Sequence, residues 1–88
     1  MKIKDGFILR KFADKYLSVA VGDAADKFNV LITLNETGAF VWDLMQEDVS
    51  YDFVIEQMLE NYEVDRETAI RDLDEFLEKT RSAGLIDE

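Results

Sequence analysis

The sequence predicts one α+β domain in which a three-stranded antiparallel sheet is followed by three helices. Three runs rich in β-branched and aromatic residues occupy the first third of the chain. The remainder places apolar residues at helical spacing, behind polar residues of the kind that begin helices. Because 88 residues is the length of one domain, we treat residues 1–88 as a single unit.

The predicted strands cover residues 7–12, 16–21 and 28–34. A short polar step at residues 13–15 separates the first two, which is typical of a hairpin. The loop at residues 22–27 leads into the third strand. A three-stranded sheet with one apolar face needs a second layer to cover that face, and we expect the helices to supply it.

The predicted helices cover residues 36–46, 51–62 and 66–83. A good N-cap residue stands immediately before each of them, because its side-chain oxygen can accept from free first-turn amides. These residues are Asn35, Ser50 and Asp65. Gly84 suits the left-handed residue that ends a helix, so Leu85 and Ile86 are expected to fold back onto the third helix.

One apolar face of each helix is expected to contribute to the core. Gly38 costs helical stability in a first turn, which suggests that backbone packs closely against it. The expected core residues are Val41, Leu44 and Met45, flanked by Phe40 and Trp42, in the first helix; Val54 or Ile55, Met58, Leu59 and Tyr62 in the second; and Ala69, Ile70, Leu73, Phe76, Leu77 and Thr80 in the third.

Two of the residue types that most often perform catalysis are missing. The chain has no cysteine and no histidine, which excludes disulfides, thiolate nucleophiles and histidine bases. The carboxylates on the third helix are best interpreted as a solvated acidic face, because paired catalytic carboxylates need a walled cleft. Asp23, Asp26 and Asn29 share a loop, but without the alternate-residue spacing of an EF-hand. We therefore expect no catalytic residue, no metal site and no cofactor.

Charge is distributed unevenly along the chain. Residues 1–34 hold six bases and four acids, a net charge of +2, whereas residues 35–88 hold four bases and 16 acids, a net charge of −12. This acidity disfavours nucleic acid and anionic membranes as partners. No apolar run is long enough to span a bilayer, and the N-terminus lacks a secretory signal. We expect a cytoplasmic protein.

Three helices beside a small antiparallel sheet are the elements of a winged helix-turn-helix domain. A DNA-binding regulator would use the third helix for recognition, but that helix carries six acids against four bases between Asp65 and Arg81. The third strand is expected at a sheet edge, where a peptide can add a strand. A second copy of the chain could pair there as well, so a homodimer stays an alternative.

Residues 34–44, with the sequence LNETGAFVWDL, resemble the PqqD family. The similarity continues at residues 7–10, which look like the family's opening strand. It reappears at residues 62–65, 72, 76–77 and 84–86, so it covers nearly the whole chain. Two departures are Val21 and Gly22, where many members have a proline, and Thr80, where leucine is common. They weaken assignment to pyrroloquinoline quinone synthesis, because the wider family serves many peptide pathways.

The resemblance implies a RiPP recognition element, a domain that binds the leader segment of a ribosomally made precursor peptide. In that family the leader is held as an added strand between the third strand and the third helix, and is presented to a modifying enzyme. In PqqD's case the enzyme is a radical S-adenosylmethionine enzyme. Carried over to this sequence, the pairing edge is Val30, Leu31, Ile32 and Thr33, and the helical wall is Ile70, Leu73, Asp74 and Leu77.

Overall fold

Five strands and three helices are present in a computed structural model that describes residues 1–22 and 32–87. In chain order they are β1 (Lys2–Ile3), β2 (Phe7–Phe12), β3 (Lys15–Ala20), β4 (Ile32–Leu34), α1 (Glu36–Leu44), α2 (Tyr51–Asn61), α3 (Arg66–Ser82) and β5 (Ile86–Asp87). The predicted α+β class and the order of the main elements are confirmed. Residues 28–31 of the predicted third strand, and the loop with Asp23, Asp26 and Asn29, lie outside the described residues.

The main sheet is antiparallel, in the order β2-β3-β4. The hairpin register pairs Phe7 with Ala20 and Phe12 with Lys15. Its turn is tighter than predicted, because Ala13 takes a positive φ of 58° and lets β3 begin at Lys15. β4 pairs with β3 on one side and forms one edge of this sheet.

All three predicted N-caps are confirmed. Asn35 accepts from the Gly38 amide at 2.8 Å, Ser50 from the Phe53 amide at 3.0 Å and Asp65 from the Thr68 amide at 2.8 Å. The helices end one or two residues earlier than predicted. The Ile3 amide donates to the Met45 carbonyl at 2.8 Å and joins the end of α1 to β1.

The helices pack on one face of the sheet and enclose a single core. Leu34 and Phe7 come from the sheet, and the apolar faces of all three helices meet them. Trp42, expected at the flank of its helix, is instead buried with 2% of its surface exposed, because α1 touches the sheet and both other helices. Ile70 is the exception in α3, where 37% of it is exposed.

A second, two-stranded sheet joins the two ends of the described chain, and the sequence did not predict it. β1 pairs with β5 through Lys2 and Asp87 and through Ile3 and Ile86. Gly84 has a φ of 75°, and the residues after it turn back into the core as predicted. In the described ranges, no helix is long and apolar enough to cross a membrane.

Replacing Gly38 by alanine should destabilise the protein, although alanine is the better helix former. An added Cβ would lie 3.1 Å from the Cβ of Leu34, a buried residue that is fixed in β4. Overpacking costs about 1–3 kcal/mol and the propensity gain returns about 1 kcal/mol, so we expect a net loss of up to about 2 kcal/mol. Urea unfolding of Gly38→Ala measures it. A gain in stability would show that Leu34 shifts enough to accommodate the added methyl group.

Asp65 should make stability depend on pH in the acid range. Hydrogen bonds from the Thr68 side chain and backbone hold the pKa of Asp65 below its usual range. The stabilisation is therefore complete above the unfolded-state pKa of about 3.9, and is lost as the pH falls through the lower folded-state pKa. At pH 7 we expect the melting temperature of wild type to be higher than that of Asp65→Asn. Near pH 2 we expect the two melting temperatures to converge. A constant difference between them would contradict this.

Candidate functional site

A shallow groove lies between β4 and α3, with the first turn of α1 as its floor. It combines an edge strand, an apolar floor and a charged rim. The residues that line it are Thr33, Leu34, Asn35, Thr37, Gly38, Val41, Asp72, Glu75, Phe76 and Lys79.

The strand edge offers backbone groups to the groove at Thr33. This residue pairs with Leu17 of β3, and its carbonyl oxygen accepts a hydrogen bond from Nζ of Lys79 on α3. In an antiparallel ladder, the N–H and C=O of one residue point to the same side. The Thr33 amide therefore points away from β3 as well, while Ile32 and Leu34 direct their backbone groups towards β3.

The floor of the groove is apolar and tightly packed. Leu34, Val41 and Phe76 are buried with at most 5% of their surfaces exposed. Gly38 of α1 lies against Leu34 of β4. Because glycine has no side chain, the backbone of α1 can approach the strand closely at the floor of the groove. Such a floor suits an apolar side chain that enters from an added strand.

The rim of the groove is charged. Asp72, Glu75 and Lys79 follow one another along the side of α3 that faces β4. Asp72 lies 3.9 Å from Nε of Arg71, a long ion pair that leaves its carboxylate largely available. Among the described residues, no group of three or more potential ligands is close enough to hold a metal ion.

The four predicted edge residues have different outcomes. Thr33 lines the groove and presents its backbone there. Ile32 belongs to β4, and its half-buried side chain packs against the core. Val30 and Leu31 lie outside the described residues.

The four predicted wall residues of α3 lie away from the groove. Leu73 and Leu77 are core residues, with 0% and 2% of their surfaces exposed. Asp74 accepts a 2.7 Å hydrogen bond from the Tyr51 hydroxyl of α2, and this bond raises the pKa of Tyr51. Ile70 lies one turn before Asp74 on the same flank. Peptide contact by these residues stays a prediction.

The side of α3 that faces β4 carries a different set, which the sequence reasoning missed. Asp72, Glu75, Phe76 and Lys79 follow the spacing i, i+3, i+4 and i+7 of one helix face. Their signal was weak because Phe76 is the one apolar member. The predicted wall was carried over from the family resemblance, and two of its members, Leu73 and Leu77, belong to the core.

Comparisons with known proteins agree on the fold. No curated protein sequence matches the chain. The solved structure "TbiB1 in Complex with the TbiA(beta) Leader Peptide" matches with a TM-score of 0.74 and 24% identity, covering 99% of this chain and 95% of that one. The family model "Coenzyme PQQ synthesis protein D (PqqD)" matches residues 9–86. The edge strand, the helix beside it and this family match lead to one conclusion: the chain belongs to the PqqD family.

Proposed function

We propose that the chain is a non-catalytic adaptor of the cytoplasm. It would bind the leader segment of a ribosomally synthesised precursor peptide and present it to a modifying enzyme, of the radical S-adenosylmethionine class if it follows PqqD. Membership of the PqqD family supports this proposal, as does the likeness to TbiB1 in its complex with a leader peptide. The observation that carries it is the outward-facing backbone of Thr33 beside an apolar groove.

Binding would proceed by strand addition. The leader would lie along β4 and exchange hydrogen bonds with the outward-facing backbone of Thr33. Backbone pairing is tolerant of sequence, so selectivity has to come from side chains. Alternate side chains of the leader would point towards α3, where an apolar one fits over Leu34 and Phe76.

Lys79 would act as a cover for the strand edge. Its ammonium occupies the Thr33 carbonyl that an added strand needs, and lysine is a common protector of sheet edges. An incoming leader amide would replace it. The released lysine lies four residues after Glu75 on the same helix face, where the two charges can pair.

The charge of the domain favours a leader with basic character. The net charge is −10, and Asp72 and Glu75 stand at the groove itself. Opposite charge on the leader would speed association and make it weaken with added salt.

The alternatives are less well supported. A DNA-binding regulator would need to bring α3 to phosphates, but that helix exposes Asp74, Glu75 and Glu78. A homodimer would need two β4 edges to pair. The described part of that edge is three residues long, so it offers few backbone hydrogen bonds for a dimer. Retention on heparin would favour the first alternative, and a dimer mass by light scattering would favour the second.

Thr33→Pro should abolish most leader binding. Proline removes the outward amide and puts its ring where the added strand would lie, while the bonds of Ile32 and Leu34 to β3 remain. One lost hydrogen bond is worth about 0.5–1.5 kcal/mol, so we expect a loss of about tenfold or more once the ring is counted. The measurement is fluorescence anisotropy with labelled leader segments of the precursor peptides encoded in the same genome.

The matched control for Thr33→Pro is Thr33→Val, which keeps the amide and the β-branched shape. We expect Thr33→Val to bind like wild type. Equal affinities for a folded Thr33→Pro variant and Thr33→Val would contradict strand addition at β4.

Lys79→Met should strengthen leader binding, because the leader no longer has to displace the ammonium from Thr33. Breaking that bond is worth about 0.5–1.5 kcal/mol, so we expect an affinity about 2–10 times higher. Lys79→Arg keeps a donor and should stay near wild type. If Lys79→Met instead weakens binding, the lysine contacts the leader itself and does not cover the edge.

A further inference from the structure

The outer face of the main sheet carries apolar and basic side chains, and the three described helices pack on the opposite side of the sheet. Strand residues alternate between faces, and the register sets the buried Phe7 opposite Ala20 on the helix side. Their neighbours therefore point outwards. The outward set is Ile8, Arg10 and Phe12 from β2, Lys15, Leu17 and Val19 from β3, and Thr33 from β4.

Two of these apolar side chains are exposed to solvent. Phe12 exposes 72% of its surface and Ile8 exposes 37%. Phe12 pairs with Lys15 and Arg10 with Leu17, so each of these pairs combines an apolar side chain with a cation. We call the outward set of seven residues the outer face. Arg10 separates Ile8 from Phe12 on β2, and the half-buried Leu17 and Val19 lie beside them on β3. Contiguous apolar side chains mark interaction surfaces more often than isolated ones do.

The charge of the outer face is opposite to that of the whole chain. None of its seven residues is acidic, whereas the chain has 20 acids, 10 bases and a net charge of −10. A surface that combines aromatic and aliphatic side chains with Arg10 and Lys15 is complementary to an apolar patch surrounded by carboxylates.

We propose that the outer face docks a partner protein whose contact surface is apolar at its centre and acidic at its rim. Resting on the proposed function, we assign that partner as the enzyme that modifies the bound peptide. The leader groove opens at the edge of β4 and between β4 and α3, so both surfaces can be occupied together. A leader strand added to β4 would extend the outer face by one strand, and the enzyme would then contact adaptor and peptide side by side.

A second copy of the chain fits this face poorly. Two outer faces packed together would bring Arg10 and Lys15 against their own counterparts, and facing like charges are unfavourable. The net charge of −10 also opposes an anionic membrane.

The first experiment locates the partner. Full-length protein with p-benzoylphenylalanine in place of Phe12 is photocrosslinked in its source cells. A control variant carries the same photoreactive residue in place of Phe53, a phenylalanine of α2 that is 44% exposed. We expect the enzyme that modifies the precursor to be captured at position 12 and not at position 53. Capture at both positions, at neither, or of a second copy would overturn the proposal.

The second experiment measures affinity with the purified enzyme and two charge reversals. Arg10 and Lys11 are adjacent and exposed on β2, but they point to opposite faces. Arg10→Glu should weaken enzyme binding about tenfold, whereas Lys11→Glu, which changes the net charge equally, should change it less than about twofold. Equal effects would mean that net charge alone matters. Sedimentation of wild type with vesicles of 30% phosphatidylserine would assign the face to lipid and overturn the proposal.

Leader binding is measured on the same two variants. Neither residue lines the leader groove, so both should bind labelled leader segments like wild type. If wild type binds no leader but its enzyme binding still depends on Arg10, the proposed function fails and the docking face stands. If wild type binds leaders and Arg10→Glu keeps full enzyme affinity, the docking face fails and the proposed function stands.

Discussion

The close approach of Gly38 to Leu34 is the constraint on which the groove depends. A Cβ at Gly38 would sit 3.1 Å from that of Leu34, so α1 can lie this near β4 because glycine has no side chain. The same glycine donates its amide to the Asn35 cap at 2.8 Å. The five residues 34–38 therefore contain the end of β4, the start of α1 and part of the groove floor. With α1 this close to β4, α3 also lies near the strand, and Lys79 reaches the Thr33 carbonyl at its edge.

The sheet divides the molecule into surfaces with different properties. Its inner face packs against the helices, its β4 edge opens into an acidic-rimmed groove, and its outer face is basic and apolar. This separation suits an adaptor, which has to hold one partner while it presents it to another. The surfaces differ in chemistry as well, so a peptide and an enzyme need not compete for the same contacts.

The chain ends stabilise the arrangement from outside the main sheet. β1 inserts between α1 and β5, where Ile3 donates to Met45 and Lys4 donates to Leu85, both at 2.8 Å. The terminal ammonium bonds Asp48 and the Val49 carbonyl, each at 2.8 Å, and its hydrogen bond lowers the pKa of Asp48. These contacts join the C-terminal end of α1 to the residues that follow α3.

The sequence alone determined whatever depends on near neighbours in the chain. The three N-caps, the left-handed Gly84, the hairpin and the helical stripes follow from side chains that act within four residues of themselves. The motif at residues 34–44 also indicated the family, and it contains the Asn35 cap and Gly38, which lies against Leu34 at the groove floor.

Tertiary structure decided how these elements face one another. Leu73 and Leu77 became core, while Asp72, Glu75, Phe76 and Lys79 became the wall beside β4. Helical spacing identifies which residues share a face, but the orientation of the helix about its axis is set by packing against strands far away in sequence. The pairing of β1 with β5 was hidden for the same reason, since strands of two residues carry no periodicity. Local chemistry therefore fixed the elements, and long-range packing fixed which of their faces form the groove.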